Sequence, residues 1–249
     1  MRARHRHFNP SHAGATIALD SRYGFSQADG SAVSTWEDRS STNNDATQAT
    51  AANQPTYETG EVGGQPAVRF DGINDFLSYG TSVFGYTSGA TVIAVVKATS
   101  GANEYGSVIG EHSSNRTSIG CQMTVFPNNA IEPATDIFQP GGVRYNSTLT
   151  NTTWQIVGWS WSDWSTHKTN GNTRIAAGGT ETSGAAYGSD PLGFTSTRRA
   201  IGRYPESSVS NGNSLQADIA LVAKLPECGA ALRKRLYHHA AYSFKLSCN

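Results

Sequence analysis

Short runs of β-forming residues, each closed off by Gly, Pro, Asn, Asp or Ser, recur along almost the whole chain. This restricts the fold to classes in which strands are joined by turns. The runs are Thr16 to Leu19, Ala67 to Phe70, Thr91 to Ala98, Ser107 to Gly110, Thr153 to Trp161, Arg174 to Ala177, Arg199 to Tyr204 and Leu215 to Ala223. Asn170-Gly171 is the strongest hairpin signal, because a type I′ turn needs positive φ at both central residues. The strands on either side of it should pair antiparallel. Residues 40–61 read as a polar, irregular surface excursion.

One segment alone has helical spacing. After Pro226, the run Ala230 to Phe244 sets Leu232, Leu236, Ala240 and Phe244 on one face, with Arg233, Lys234 and Arg235 facing elsewhere. The expectation is a single all-β sandwich over 13–249, capped by an amphipathic helix at about 229–244 and preceded by a basic arm, residues 1–12.

Composition agrees with a turn-rich β protein. Of 249 residues only 15% are charged, against roughly 25% in an ordinary domain. The formal net charge is zero, which gives no electrostatic reason to seek nucleic acid or an anionic membrane. The longest apolar run, Thr91 to Val96, is far short of the ~20 residues a membrane helix needs. Met1 to His7 lead into Phe8-Asn9-Pro10 without an apolar stretch, so no secretory signal is expected if Met1 is the native start. Cys121, Cys228 and Cys248 show no metal-ligand spacing and fit free thiols, with a Cys228–Cys248 bridge around the helix as the alternative. The triplets at Asn115, Asn146 and Asn151 matter only to an exported chain.

The segment from Trp36 to Gln48 combines Trp36, Asp38, an Asn43-Asn44-Asp45 turn and Ala46-Thr47-Gln48. Gln54-Pro55 and a strand ending in Phe70-Asp71-Gly72 follow it. In order and spacing it resembles the laminin-G-like, concanavalin A-like jelly-roll domains of bacterial and bacteriophage proteins. Ala217 to Ala223 and the terminal helix resemble that family's closing strand and helix. Relatives carry a Glu on the closing strand where Leu221 stands here, so a role that needs that carboxylate does not transfer.

The resemblance implies a jelly roll and, for a domain standing alone with this composition, a virion component: a capsid decoration or tail-associated module, self-associating in a symmetric assembly. Its place would be the virion, made in the host cytoplasm, with the bacterial cytoplasm or surface as the alternative. A lectin-like module for bacterial surface polysaccharide is the alternative function, and a hydrolase of the same fold the weakest. Fold alone does not choose between them.

Glycosidases of this fold set two carboxylates on alternate residues of one strand, and no such pair stands in a β-like run. Glu132 and Asp136 are nearest, but Pro133 intervenes and the segment reads as loop. No nucleophile elbow accompanies His112, His167, His238 or His239. Non-catalytic binding is therefore the expectation, with no cofactor required.

Three candidate sites remain. Asp71, Asn74 and Asp75 offer side-chain oxygens in a tight turn, as calcium would want, or else bond the turn's own amides. Alternation places Trp159 and Trp161 together toward the core, whereas Trp164, with Asp163 and His167, stands in a polar stretch where a sugar face could stack. Tyr204, beside Arg203 at a strand end, offers the same platform or packs inward. Arg2, Arg4 and Arg6 form an arm that could order on a partner, and His5 with His7 could hold a metal.

Overall fold

The computed structural model describes residues 14–84, 89–99, 106–112, 120–125, 130–136, 147–148, 152–161, 174–177, 180–183, 198–204 and 214–247. In chain order the strands are β1 (Ile17–Asp20), β2 (Ser31–Ala32), β3 (Thr35–Trp36), β4 (Ala46–Thr47), β5 (Thr56–Val62) and β6 (Gln65–Asp71). There follow β7 (Leu77–Tyr79), β8 (Ala90–Ala98), β9 (Gly106–His112), β10 (Gly120–Val125), β11 (Ala130–Asp136) and β12 (Ser147–Thr148). The last are β13 (Gln155–Trp161), β14 (Arg174–Ala177), β15 (Thr180–Ser183), β16 (Arg198–Ile201) and β17 (Gln216–Pro226), before the helix α1 (Ala230–Phe244).

Among the described residues these make two sheets. The first runs β15-β14-β13-β8-β17-β6-β5-β2, with β1 also pairing β17; the second runs β12-β11-β10-β9-β16-β7-β4-β3. Every pairing is antiparallel. The molecule is an all-β sandwich with one C-terminal helix, as the turn-punctuated sequence required. The β13–β14 pairing expected across Asn170-Gly171 is present, with Val157 opposite Ala177 and Ser160 opposite Arg174.

The apolar run in β8 is unbroken because both of its faces are covered. Val92, Ala94 and Val96 enter the core between the sheets with Trp36, Phe70, Val157 and Trp159. Ile93 and Val95 lie on the opposite face under α1, with Leu236, Tyr237, Ala240 and Phe244. Each fully buried Val or Ile stabilises the fold by roughly 1.5–3 kcal/mol. β17 is buried on both faces too, but a bulge at Ala220 changes which residues face inward: Ile219 stands opposite Val96 and Leu221 opposite Val95. Ala217 and Ile219 therefore point into the sandwich, whereas Ala220, Leu221, Ala223 and Leu225 pack under the helix. Leu221 is 3% exposed.

The helix keeps its expected limits and buries Leu236, Ala240 and Phe244 as expected, but the inward face takes in Arg233 and leaves out Leu232. Arg233, Leu236, Tyr237, Ala240, Ala241 and Phe244 are buried, whereas Leu232 is exposed. Arg233 leaves the solvated basic face foreseen for it because its guanidinium has partners inside: Nε donates to Glu181 (2.7 Å) and Nη1 to the Cys228 carbonyl (2.6 Å). Cys228 itself is a buried free thiol. No helix among the described residues is long and apolar enough to cross a membrane.

Two segments read as loop are strands. Thr56–Val62 pairs with β6, so the supposed excursion of residues 40–61 contributes to the first sheet. Its residues are half-buried and polar, which hid the alternation. Ala130–Asp136 pairs with β10 despite Pro133.

The resemblance-bearing turn is held by one carboxylate. Asp38 Oδ1 accepts from the Ala18 and Ser40 amides (2.8 and 2.9 Å), and Oδ2 accepts from the Asn44 amide (2.8 Å), Ser40 Oγ (2.6 Å) and Thr42 Oγ1 (3.0 Å). Asn43 takes φ 52°, a left-handed conformation that Asn tolerates. Asn44 then exchanges hydrogen bonds with the Thr81 backbone, donating from Nδ2 and accepting at Oδ1.

Candidate functional site

Alternation along the strands puts charged residues on the outer face of the first sheet, beyond the part covered by α1. Val68 and Phe70 point inward on β6, so Arg69 points out; Lys97 follows Val96 on β8, and Asp218 sits between inward Ala217 and Ile219 on β17. The register makes them neighbours, since Asp218 stands opposite Arg69 on one side and Lys97 on the other. β5 contributes Glu58 and Glu61 to the same face.

These five groups form one network. Arg69 Nε donates to Asp218 Oδ1 (2.7 Å), Nη2 to Asp218 Oδ2 (3.1 Å) and to Glu61 Oε1 (2.7 Å), while Nη1 lies 3.1 Å from Glu58 Oε2. Lys97 Nζ donates to Asp218 Oδ2 (2.6 Å) and Glu61 Oε2 (2.8 Å) and lies 5.2 Å from the centre of the Trp154 ring. Burial would raise the Glu61 carboxyl, but the bonds from Lys97 and Arg69 outweigh it and hold it below the usual range. Burial would likewise lower Lys97, yet Asp218 and Glu61 keep its ammonium above its ordinary value. Each of these charges has a partner of opposite sign, which is what permits charged groups to sit on a sheet face that is partly out of water.

A cavity of about 350 Å³ opens beside this network. Arg69, Lys97 and Asp218 line it together with Asp71, Thr99, Thr152 and Gln216. Gln216 stands opposite Asp71 on β17 and β6. The cavity thus offers fixed hydrogen-bond donors and acceptors of both kinds at the lower end of the size range of small-ligand sites.

The sequence candidates fare unevenly. Asp71 lines the cavity, but in the turn its Oδ1 accepts from the amides of Ile73 (2.8 Å), Asn74 (3.2 Å) and Asp75 (3.4 Å). Asp75 Oδ2 in turn accepts from the Asp71 amide (3.0 Å). This is the turn-capping alternative to calcium, and no group of three or more His, Cys, Asp or Glu side chains is gathered as a metal site among the described residues. Tyr204 takes the inward alternative: it is 6% exposed and presents no face for a sugar. Trp159 is in the core as expected, at 1% exposure. Asp163, Trp164, His167, Cys248, His5, His7 and the Arg2, Arg4 and Arg6 arm lie outside the described residues.

Burial, with a smaller contribution from the charge of Asp71, pushes Asp75 up to about 6. A carboxyl raised in the folded state favours folding most below its unfolded value near 3.8, and this contribution is lost as pH climbs toward 6. Asp75→Asn should therefore gain stability on the parent between pH 4 and pH 7, by an amount of order 1 kcal/mol after allowance for partial solvation. Urea titrations of both proteins across that range measure it, and stability curves that stay parallel would contradict it.

Arg69, Lys97, Asp218, Glu61 and Trp154 escaped the sequence reading. A signal was present: Arg69 and Asp218 are lone charges within apolar strands, and Lys97 closes one. Each such charge needs a partner on its own sheet face.

Structures of known proteins share this fold. The Trypanosoma rangeli sialidase, solved with sialic acid, superposes with a TM-score of 0.60 at 14% identity, over 93% of this chain and 33% of the sialidase. Domain 4 of AbnA, an extracellular arabinanase from Geobacillus stearothermophilus solved with arabinotriose, gives 0.56 at 10% identity, over 90% of this chain and 98% of that domain. The binding domain of Paraclostridial mosquitocidal protein 1 gives 0.54 at 10% identity, over 90% and 52%. This chain thus spans about a third of the sialidase and nearly all of the arabinanase domain. At such identities the likeness shows the sandwich fold alone. No protein-family model and no curated protein matches the sequence. A sialidase, a toxin binding domain and an arabinanase domain add nothing to the expectation of a coat role.

Proposed function

We propose that this chain is a non-catalytic glycan-binding domain whose ligand occupies the cavity beside Arg69, Lys97 and Asp218. The observation that carries the reading is that cavity: strands hold paired carboxylates and cations beside it in fixed positions, and Gln216, Thr99 and Thr152 also line it. Sugars are recognised by such preorganised polar groups. Two of the fold neighbours were solved with saccharides bound, sialic acid in one and arabinotriose in the other.

Binding rather than hydrolysis is the reading supported by the ion pairing of Glu61 and Asp218. A glycosidase needs one carboxyl that stays protonated to act as general acid. Glu61 is held ionised by Lys97 and Arg69, and both oxygens of Asp218 accept from cations.

A glycan array followed by titration calorimetry on the best hit tests the reading. Asp218→Ala is expected to weaken binding at least about tenfold, or about 1.4 kcal/mol. Unchanged affinity would place the ligand elsewhere, and release of reducing sugar from the bound oligosaccharide would overturn the non-catalytic assignment.

A further inference from the structure

On the reading that the cavity is the glycan site, we infer that its ligand is an uncharged saccharide, with acidic sugars rejected. Both cations at the cavity are already committed. Arg69 bonds three carboxylates, those of Asp218, Glu61 and Glu58, and Lys97 bonds two of the same three. Two positive charges in the network thus face three negative ones, of which Glu58 and Glu61 stand behind the cavity wall, and Asp71 in the wall adds a fourth. The site therefore has a negative balance although it contains Arg and Lys.

A sialic acid, uronic acid or sulfated sugar needs a cation with free hydrogen-bonding capacity. It would have to share Arg69 or Lys97 with the carboxylates already paired to them, and enter a negative site beside the buried Asp218 to do so. A sugar hydroxyl makes no such demand. It donates to a carboxylate lone pair that the cations leave open, as on Asp218 Oδ1, and accepts from the amide of Gln216 or the hydroxyl of Thr99. The modest volume selects a short saccharide or the end of a longer one. The charge pairing that stabilises the sheet face thus also sets what the cavity accepts.

The test compares glycans that share a neutral core, such as lactose with 3′-sialyllactose and a neutral xylo-oligosaccharide with its glucuronate-bearing counterpart. Titration calorimetry on the full chain is run at low and moderate salt. The expected result is binding of neutral members, with acidic counterparts at least tenfold weaker and the gap narrowing as salt rises.

Asp218→Asn and Glu61→Gln each remove one negative charge, and each should narrow the gap between neutral and acidic members at fixed salt. Two substitutions at differently exposed positions guard against one failing to fold. Preference for the acidic member overturns the inference and leaves the glycan-binding proposal standing. A neutral preference insensitive to both substitutions also overturns it, because the discrimination would then come from another surface. Silence toward every glycan overturns the proposed function with it.

Discussion

Asp38→Ala should cost the fold about 4 kcal/mol, a large fraction of the 5–15 kcal/mol that holds an ordinary domain together. The carboxylate accepts five hydrogen bonds, and two of the donors, the Ala18 and Asn44 amides, belong to residues at 0% and 5% exposure. Truncation leaves those amides buried without an acceptor, at about 1–3 kcal/mol each, and removes the Ser40 and Thr42 contacts that shape the turn. Asp38→Asn should recover about half of the loss: its one carbonyl oxygen can serve only one side of the turn, and its amide nitrogen faces donors on the other. Urea unfolding gives the size of the effect, and amide exchange at Ala18 and Asn44 shows where it falls. A loss below about 1 kcal/mol would mean that water replaces the carboxylate and that the turn is not held as described.

Gly202→Ala should be nearly as damaging, by about 3 kcal/mol, for a reason that lies in space rather than in hydrogen bonding. Gly202 adopts φ +81°, where a side chain costs about 1 kcal/mol or more. A Cβ there would also overlap the ring of Phe70, which is 1% exposed in the core between the sheets. Phe70 cannot swing away without opening that core, and overpacking of this kind adds about 1–3 kcal/mol. The carbonyl of Gly202 also accepts from the Leu215 amide, tying the end of β16 to the start of the closing strand. A lowered urea midpoint with an unchanged slope is the expected signature, and an unshifted midpoint would contradict the packing of Phe70 against this glycine.

The sequence was most readable where a single period governs a segment. β14 and α1 fall on their expected limits, and β8 is visible because two covered faces leave an unbroken apolar run. It was least readable where a strand is half-exposed and polar, as in β5, or interrupted by proline, as in β11. The inward face of α1 was misjudged at Arg233, because charge reads as exposure until Glu181 and the Cys228 carbonyl are known to wait inside.

The candidate site shows the same limit more sharply. Its members come from β5, β6, β8 and β17, and up to 149 positions separate partners such as Arg69 and Asp218. Nothing in local spacing unites them. What unites them is the strand order, in which β17 inserts between β6 and β8. The closing-strand carboxylate expected from relatives at position 221 is absent, and the carboxylate this strand does offer stands at Asp218. The bulge at Ala220 between the two positions sends Leu221 under the helix, while Asp218 stays on the open part of the same face.

The central claim, that the cavity between β6, β8 and β17 is the ligand site, is tested most directly by following backbone amide resonances of the whole chain. The titrant is a neutral oligosaccharide that binds it. The account predicts that shifts concentrate at residues 69–71, 97–99 and 216–218. Shifts confined to the outer face of the second sheet, with these three segments unmoved, would contradict it.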